Sequence, residues 1–164
     1  MSYIKPYNLF NEDKKTTYIL YHGSNNYFKE FDITEEYTLH GDAYGEGFYF
    51  TDSYAYASNF GKYIYECKIV LNNPIDLTNE KKAKDALLKL NSNNLNSNYN
   101  EIITELINGR NFKTAFYNIR KEQTIEDFKK LGYDGVIGYA DWDSGKEYIT
   151  YYKNNIKILN IKER

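Results

Sequence analysis

The sequence predicts an α+β domain, with strands toward both ends of the chain, helices between them and glycines at strand tips. Three observations carry this. "TTYILYHGS" and "GFYFT" alternate or run apolar in the first third, and "YDGVIGYA", "KEYITYY" and "NIKILNI" return to strand patterns in the last. The middle places leucines and isoleucines at helical spacing, and no regular strand–helix–strand repeat runs through the chain.

In chain order, the first strand breaks at Gly23 and delivers His22 and Ser24 to its exposed end. Residues 25–46 are polar and loop-like, with Phe28 and Phe31 as anchors, and a loop of that length in a compact domain is often functional. In "GFYFT" the rings of Phe48 and Phe50 point one way and that of Tyr49 the other. Asp52 or Ser53 caps a short helix "SYAYASNF" that stops at Gly61, after which "KYIYECKIVL" is a strand closed by "NNP". "NEKKAKDALLKL" has helical spacing in Ala83, Leu87, Leu88 and Leu90, and "YNEIITELING" places Ile102, Ile103, Leu106 and Ile107 on one face before Gly109. "NSNNLNSNYN" between them is a surface loop, and "FKTAFYNI" and "TIEDFKKLGY" predict two more short helices. "DWDSG" is a loop directly before "KEYITYY".

With 164 residues the chain is expected to be one domain, 1–164, so any ligand site must be built within it. Aromatic residues make up 18% and tyrosine alone contributes 19, against one Met and one Trp, so core and pocket are walled by rings and aliphatics. A net charge of −2 provides no field that would collect phosphates non-specifically. The lone Cys67 allows no internal disulfide and reads as a buried structural thiol. His22 and His40 stand apart without Cys or His neighbours, so no metal is expected. The start "MSYIKPYNLFNEDKK" lacks a basic region followed by an apolar one, and no run reaches membrane-span length. The expectation is a soluble chain with no membrane partner, cytoplasmic or delivered into a host cell by a route the sequence does not show.

Three groups sit at strand ends: His22 after "YILY", Tyr49 inside "GFYFT" and Glu147 opening "EYITYY". Each alone has an ordinary structural explanation, as a hydrogen-bonded histidine, a strand aromatic or a solvated charge. Together, "LYHGS", "GEGFYFTDSYAYASNFG" and "KEYITYY" resemble, in order and context, the signature segments of diphtheria-toxin-like ADP-ribosyltransferases. The resemblance is specifically to the poly(ADP-ribose) polymerase catalytic domain with its His-Tyr-Glu triad. "LGYDGVIG" is similar to a segment of small bacterial and phage-borne members.

The resemblance implies two packed, mainly antiparallel sheets around an NAD⁺ cleft, with short helices inserted mid-chain, and catalysis by His22, Tyr49 and Glu147. It implies that His22 bonds a ribose hydroxyl, that the Gly23 backbone grips the nicotinamide carboxamide, and that Ser24 contacts the adenosine ribose. Tyr49 and Phe60 would sandwich the nicotinamide ring, and Glu147 would bind the 2′-hydroxyl of its ribose. The chemistry is coherent: breaking the glycosidic bond creates an oxocarbenium-like ribose, which a carboxylate stabilises, while aromatic faces hold a flat cationic leaving group. NAD⁺ is the implied substrate.

The sequence departs from the family pattern where a helix serine usually bonds the carboxamide: Ala57 stands there, with Ser58 beside it. The loop before the glutamate, where the family often recognises its acceptor, carries Trp142, Asp143 and Ser144. Gly145 occupies the position that is acidic in arginine-specific members, which disfavours arginine as acceptor. The expected activity is mono-ADP-ribosylation of a protein or nucleic acid, in a toxin, effector or defence factor whose inhibitory partner the sequence does not name. An NAD⁺ glycohydrolase and a silent NAD⁺ or ADP-ribose binding module are the alternatives. The RNA 2′-phosphotransferase branch fits poorly, because Arg110, Arg120 and Arg164 lie outside the three segments.

Overall fold

The computed structural model describes residues 15–35, 44–92, 122–140 and 144–164. The chain runs β1 (Thr16–Ser24), β2 (Phe48–Thr51), α1 (Tyr54–Ala57) with a 3₁₀ turn (Ser58–Phe60), β3 (Tyr63–Leu71), β4 (Pro74–Asp76) and α2 (Glu80–Ser92). It continues with α3 (Glu122–Lys130), β5 (Gly135–Tyr139), β6 (Lys146–Thr150), a 3₁₀ turn (Lys153–Asn155) and β7 (Ile156–Glu163). The predicted helices in "YNEIITELING" and "FKTAFYNI" lie outside the described residues, as does His40.

The strands form one seven-stranded sheet in the order β4-β5-β6-β2-β1-β3-β7, where two packed sheets are expected. Only β4 and β5 run parallel, and the other neighbours are antiparallel. The difference turns on the centre of the sheet, where β1 and β2 share a single register pair, Tyr21↔Thr51. Every residue of β1, by contrast, pairs with β3. A three-strand and a four-strand group are thus joined by one bridge, which makes a continuous hydrogen-bonded sheet out of what the family resemblance presents as two. The groups also meet through side chains, since Tyr18 of β1 lies 4.8 Å, centroid to centroid, from Tyr148 of β6.

Alternation explains the two apolar layers. Phe48 and Phe50 enter the layer shared with Leu20, Tyr65, Cys67, Ile69 and Ile137, whereas Tyr49 and Ile149 enter the layer under the helices. All four β2 residues are buried, because this strand is covered on both faces. Helix α2 contributes Ala83, Ala86, Leu87 and Leu90 to the second layer, while Leu88 is exposed: at 3.6 residues per turn it falls outside the stripe. Asn79 caps this helix, its Oδ1 accepting from the Lys82 amide.

Strand β1 continues through Gly23 to Ser24 because Ser24 still pairs with Tyr63. His22 and Ser24, expected at an exposed end, are buried, since the 25–35 loop folds back over them and seats Phe28 and Phe31 against His22. Tyr65 fastens this loop, accepting from the Phe28 amide at 2.7 Å and donating to the Asn26 carbonyl at 3.1 Å. Gly61 ends the preceding turn in extended backbone (φ 162°), and what it requires is space: a Cβ there would stand 2.3 Å from the Ser24 carbonyl oxygen.

The "LGYDGVIG" segment is scaffolding in this geometry. Asp134 accepts from the Asn72 and Asn73 amides at 2.7 and 3.1 Å, and its own carbonyl accepts from the Tyr151 amide. It therefore ties the β3–β4 turn to the end of β6, the strand that carries Glu147. Strand β4, just three residues opening on a proline, sits at the sheet edge where a missing N–H costs no ladder bond.

Candidate active site

Register places the carboxylate. Tyr21 on β1 lies opposite Thr51 on β2, which lies opposite Glu147 on β6, so the three share one face of the sheet across two strand spacings, roughly 9–10 Å. Above that row runs α1, started by Ser53, whose Oγ accepts from the Tyr56 amide at 3.1 Å. This cap fixes the turn that aims Tyr56 at β6, and the Tyr56 hydroxyl donates to Glu147 Oε1 at 3.4 Å. Tyr56 also meets Phe60 edge-on, with centroids 5.0 Å apart.

Gly23 completes the cluster from the other side. A Cβ on Gly23 would lie 2.0 Å from the Ala57 carbonyl oxygen and 3.1 Å from Phe60 Cβ, so the end of α1 rests directly on the β1 backbone. A continuous path thus runs from Gly23 through Phe60 and Tyr56 to Glu147. Phe60 and Tyr54 remain more than a third exposed, and Tyr54 stacks edge-on against Tyr21 at 5.4 Å. Exposed aromatic rings beside a partly buried carboxylate suit a flat, cationic ligand, which ring faces attract.

His22 is placed differently. Alternation puts it on the face of Phe50 and Tyr148, opposite to Glu147. It is 2% exposed and ringed by Phe28, Phe31, Phe50 and Tyr65. Its Nδ1 lies 2.8 Å from the Tyr49 carbonyl, which can only accept, so Nδ1 carries the hydrogen. His22 therefore ties β1 to β2 beside their one shared register pair. A ribose hydroxyl reaches this ring only if the segment carrying Phe28 and Phe31 moves.

Tyr49 is also engaged in the interior. Its hydroxyl donates to the Gly45 carbonyl at 2.6 Å and accepts from the Tyr44 amide at 3.0 Å, holding the glycine turn before β2. Ser24 Oγ accepts from the Asn26 amide at 3.2 Å. The helix turns Ala57, not Ser58, toward Gly23, while the Ser58 hydroxyl donates to the Ala55 carbonyl at 2.7 Å and its carbonyl accepts from Arg164. Trp142 and Asp143 lie outside the described residues, and Ser144 is half-buried at the entrance to β6.

The structure thus brings Gly23, Phe60 and Glu147 into one cluster and sets His22, Ser24 and Tyr49 to work in its walls. Sequence reasoning missed Tyr56 and Tyr21. The signal for Tyr56 was its place three residues after the cap Ser53, one turn into a helix leaning on the sheet; for Tyr21 it was adjacency to His22, which puts it on the opposite face. Burial pushes the Cys67 thiol up to about 12, consistent with an inert core thiol. Among the described residues, no group of three His, Cys, Asp or Glu is arranged to hold a metal ion, and no helix is long and apolar enough to cross a membrane.

No curated protein matches the chain in sequence. One similar solved structure, described as "Crystal structure of an anti-CRISPR protein", superposes with a TM-score of 0.45 at 12% identity, covering 90% of this chain and 96% of that one. That level of likeness carries no weight for fold or function. The family model ART-PolyVal, "ADP-Ribosyltransferase in polyvalent proteins", matches residues 13–162 and so spans all three signature segments and the cluster they build. The family's substrate is NAD⁺, and the chain belongs to the ADP-ribosyltransferases of the ART-PolyVal family.

Proposed function

We propose that the chain is an NAD⁺-dependent mono-ADP-ribosyltransferase whose working carboxylate is Glu147. The observation that carries this reading is the Tyr56–Glu147 contact over the Tyr21–Thr51–Glu147 row, with Gly23 and Phe60 closing the other side. In this reading Phe60 and Tyr56 hold the nicotinamide ring and the Gly23 backbone, which lies against Phe60, takes its carboxamide. In this reading Glu147 binds the 2′-hydroxyl of the attached ribose. As the C1′–N bond breaks, its electron pair goes to the pyridinium, which leaves neutral, and positive charge gathers on the ribose ring. A carboxylate fixed beside C1′ stabilises that charge more than it stabilises the ground state. The acceptor nucleophile then attacks C1′ and its proton passes to solvent.

His22 and Tyr49 serve in this reading as the ties that hold β1, β2 and the glycine turn at the site, with His22 reachable by the adenosine half once the 25–35 loop shifts. Trp142, Asp143 and Ser144 are the proposed acceptor loop, and a toxin, effector or defence factor is the proposed setting. The test is nicotinamide release from NAD⁺ by wild type and by Glu147→Gln, with labelled NAD⁺ and lysate separated into protein and nucleic-acid fractions. The expected result is Glu147-dependent label in one fraction and a loss of about 10²–10³-fold in kcat/KM for the variant. Glu147-dependent release without label would make the chain a glycohydrolase. Unchanged turnover in Glu147→Gln would sink the mechanism.

A further inference from the structure

We propose that Asp52 is a positioning residue for Glu147, acting through the backbone that leads into β6; the role rests on the transferase reading above. Asp52 follows Thr51, the register partner of Glu147, and precedes the cap Ser53. Its Oδ1 accepts from the Lys146 amide at 3.0 Å, one residue before Glu147. The same oxygen lies 2.3 Å from where a Cβ on residue 145 would stand, and Gly145 holds a φ of +102°. The carboxylate therefore fills the space that only a glycine leaves, and it binds the first amide of the strand.

The consequence is geometric. The first residues of β6 pair with β5 through Tyr139↔Lys146 and Gly138↔Glu147, whereas on the β2 side the register ends at Thr51↔Glu147, so Asp52 carries the hold on that side one residue further. Residues 52–56 hold them at two points, Asp52 on the Lys146 backbone and Tyr56 on the Glu147 carboxylate. One short segment thus sets both where the glutamate starts and where its side chain ends. That segment continues directly into Ala57 and Phe60, which rest on Gly23, so ring and carboxylate share a common mount. A displacement on the order of 1 Å at such a site costs about 10²-fold in rate.

The test compares Asp52→Ala with Asp52→Asn in steady-state nicotinamide release, alone and combined with Glu147→Gln, alongside amide hydrogen exchange at Lys146. Asp52→Ala is expected to lower kcat by about 10- to 100-fold while the KM for NAD⁺ moves less than about threefold. Asp52→Asn, which keeps an acceptor oxygen, should recover most of that loss. Exchange at Lys146 should accelerate in the alanine variant and return toward wild type in the asparagine variant. In the Glu147→Gln background, Asp52→Ala should cost little more, because no charge remains to be placed. A folded Asp52→Ala protein with wild-type kcat, or a loss that adds in full to that of Glu147→Gln, would overturn the role. A wild type that releases no nicotinamide would overturn the transferase reading and this role with it, so the two failures are distinguishable.

Discussion

Gly23→Ala puts the closest contact of the site under direct strain. The new methyl would sit 2.0 Å from the Ala57 carbonyl oxygen, where ordinary contact begins at 3.4 Å, so something must give by about 1.4 Å. Strand β1 cannot supply that movement, because each of its residues is paired with β3. The end of α1 must lift, and Tyr56 and Phe60 lift with it. Overpacking of this kind costs about 1–3 kcal/mol, a fall of roughly 3–10 °C in melting temperature for a chain of this size. The larger effect is expected on chemistry, since moving Tyr56 off Glu147 and Phe60 off the β1 edge should reduce nicotinamide release by about 10²-fold. Thermal unfolding and nicotinamide release on the same preparation read both quantities. A variant that melts and turns over like wild type would refute the claim that α1 rests on Gly23.

Two further predictions concern the frame. Asp134→Ala leaves the Asn72 and Asn73 amides without their acceptor and should cost about 2–4 kcal/mol in denaturant unfolding; a shift under about 0.5 kcal/mol would show the β3–β4 turn to be held some other way. Burial pushes Cys67, Tyr65 and Tyr148 up to about 12 and Tyr151 well above a free phenol. Because the folded values lie above the unfolded ones, roughly 8.5 for a thiol and 10 for a phenol, these groups favour folding in full below pH ~8.5 and lose that contribution as pH rises toward about 12. Melting temperature should hold between pH 7 and 8.5 and fall through the window from about 9 to 12, and a flat profile to pH 11 would contradict the burial argument.

The local patterns were legible because they depend on neighbours along the chain. Alternation in "GFYFT" sorted Phe48 and Phe50 from Tyr49, and of the two cap candidates, Asp52 and Ser53, the structure uses Ser53, with Gly61 ending the aromatic turn as expected. Burial of His22 was not legible, since it depends on Phe28 and Phe31 returning over the strand end, a contact set by the loop's path and not by any period. The helical spacing of Ala83, Leu87, Leu88 and Leu90 gave the helix, while the exposure of Leu88 follows from its angle around that helix, off the stripe of the other three. At the site, Gly23, Phe60 and Glu147 came from the resemblance of "LYHGS", "GEGFYFTDSYAYASNFG" and "KEYITYY" to the family's signature segments. The parts that came from elsewhere in the fold, Tyr56 reaching Glu147 and Asp52 reaching Lys146, cross more than ninety positions of sequence, where no spacing rule operates.

The bridge at Tyr21↔Thr51 has a mechanical consequence. Two panels, one zipped along the whole of β1 and β3 and the other along β2, β6 and β5, meet at a seam with a single register pair, and Gly23 and Glu147 stand on either side of it. Substitutions deep within a panel leave the other panel's pairing untouched, so their cost stays within that panel. Residues on the seam have no such slack: Tyr21, His22 and Thr51 each set how the panels abut, and the gap between Gly23 and Glu147 follows the width of that joint.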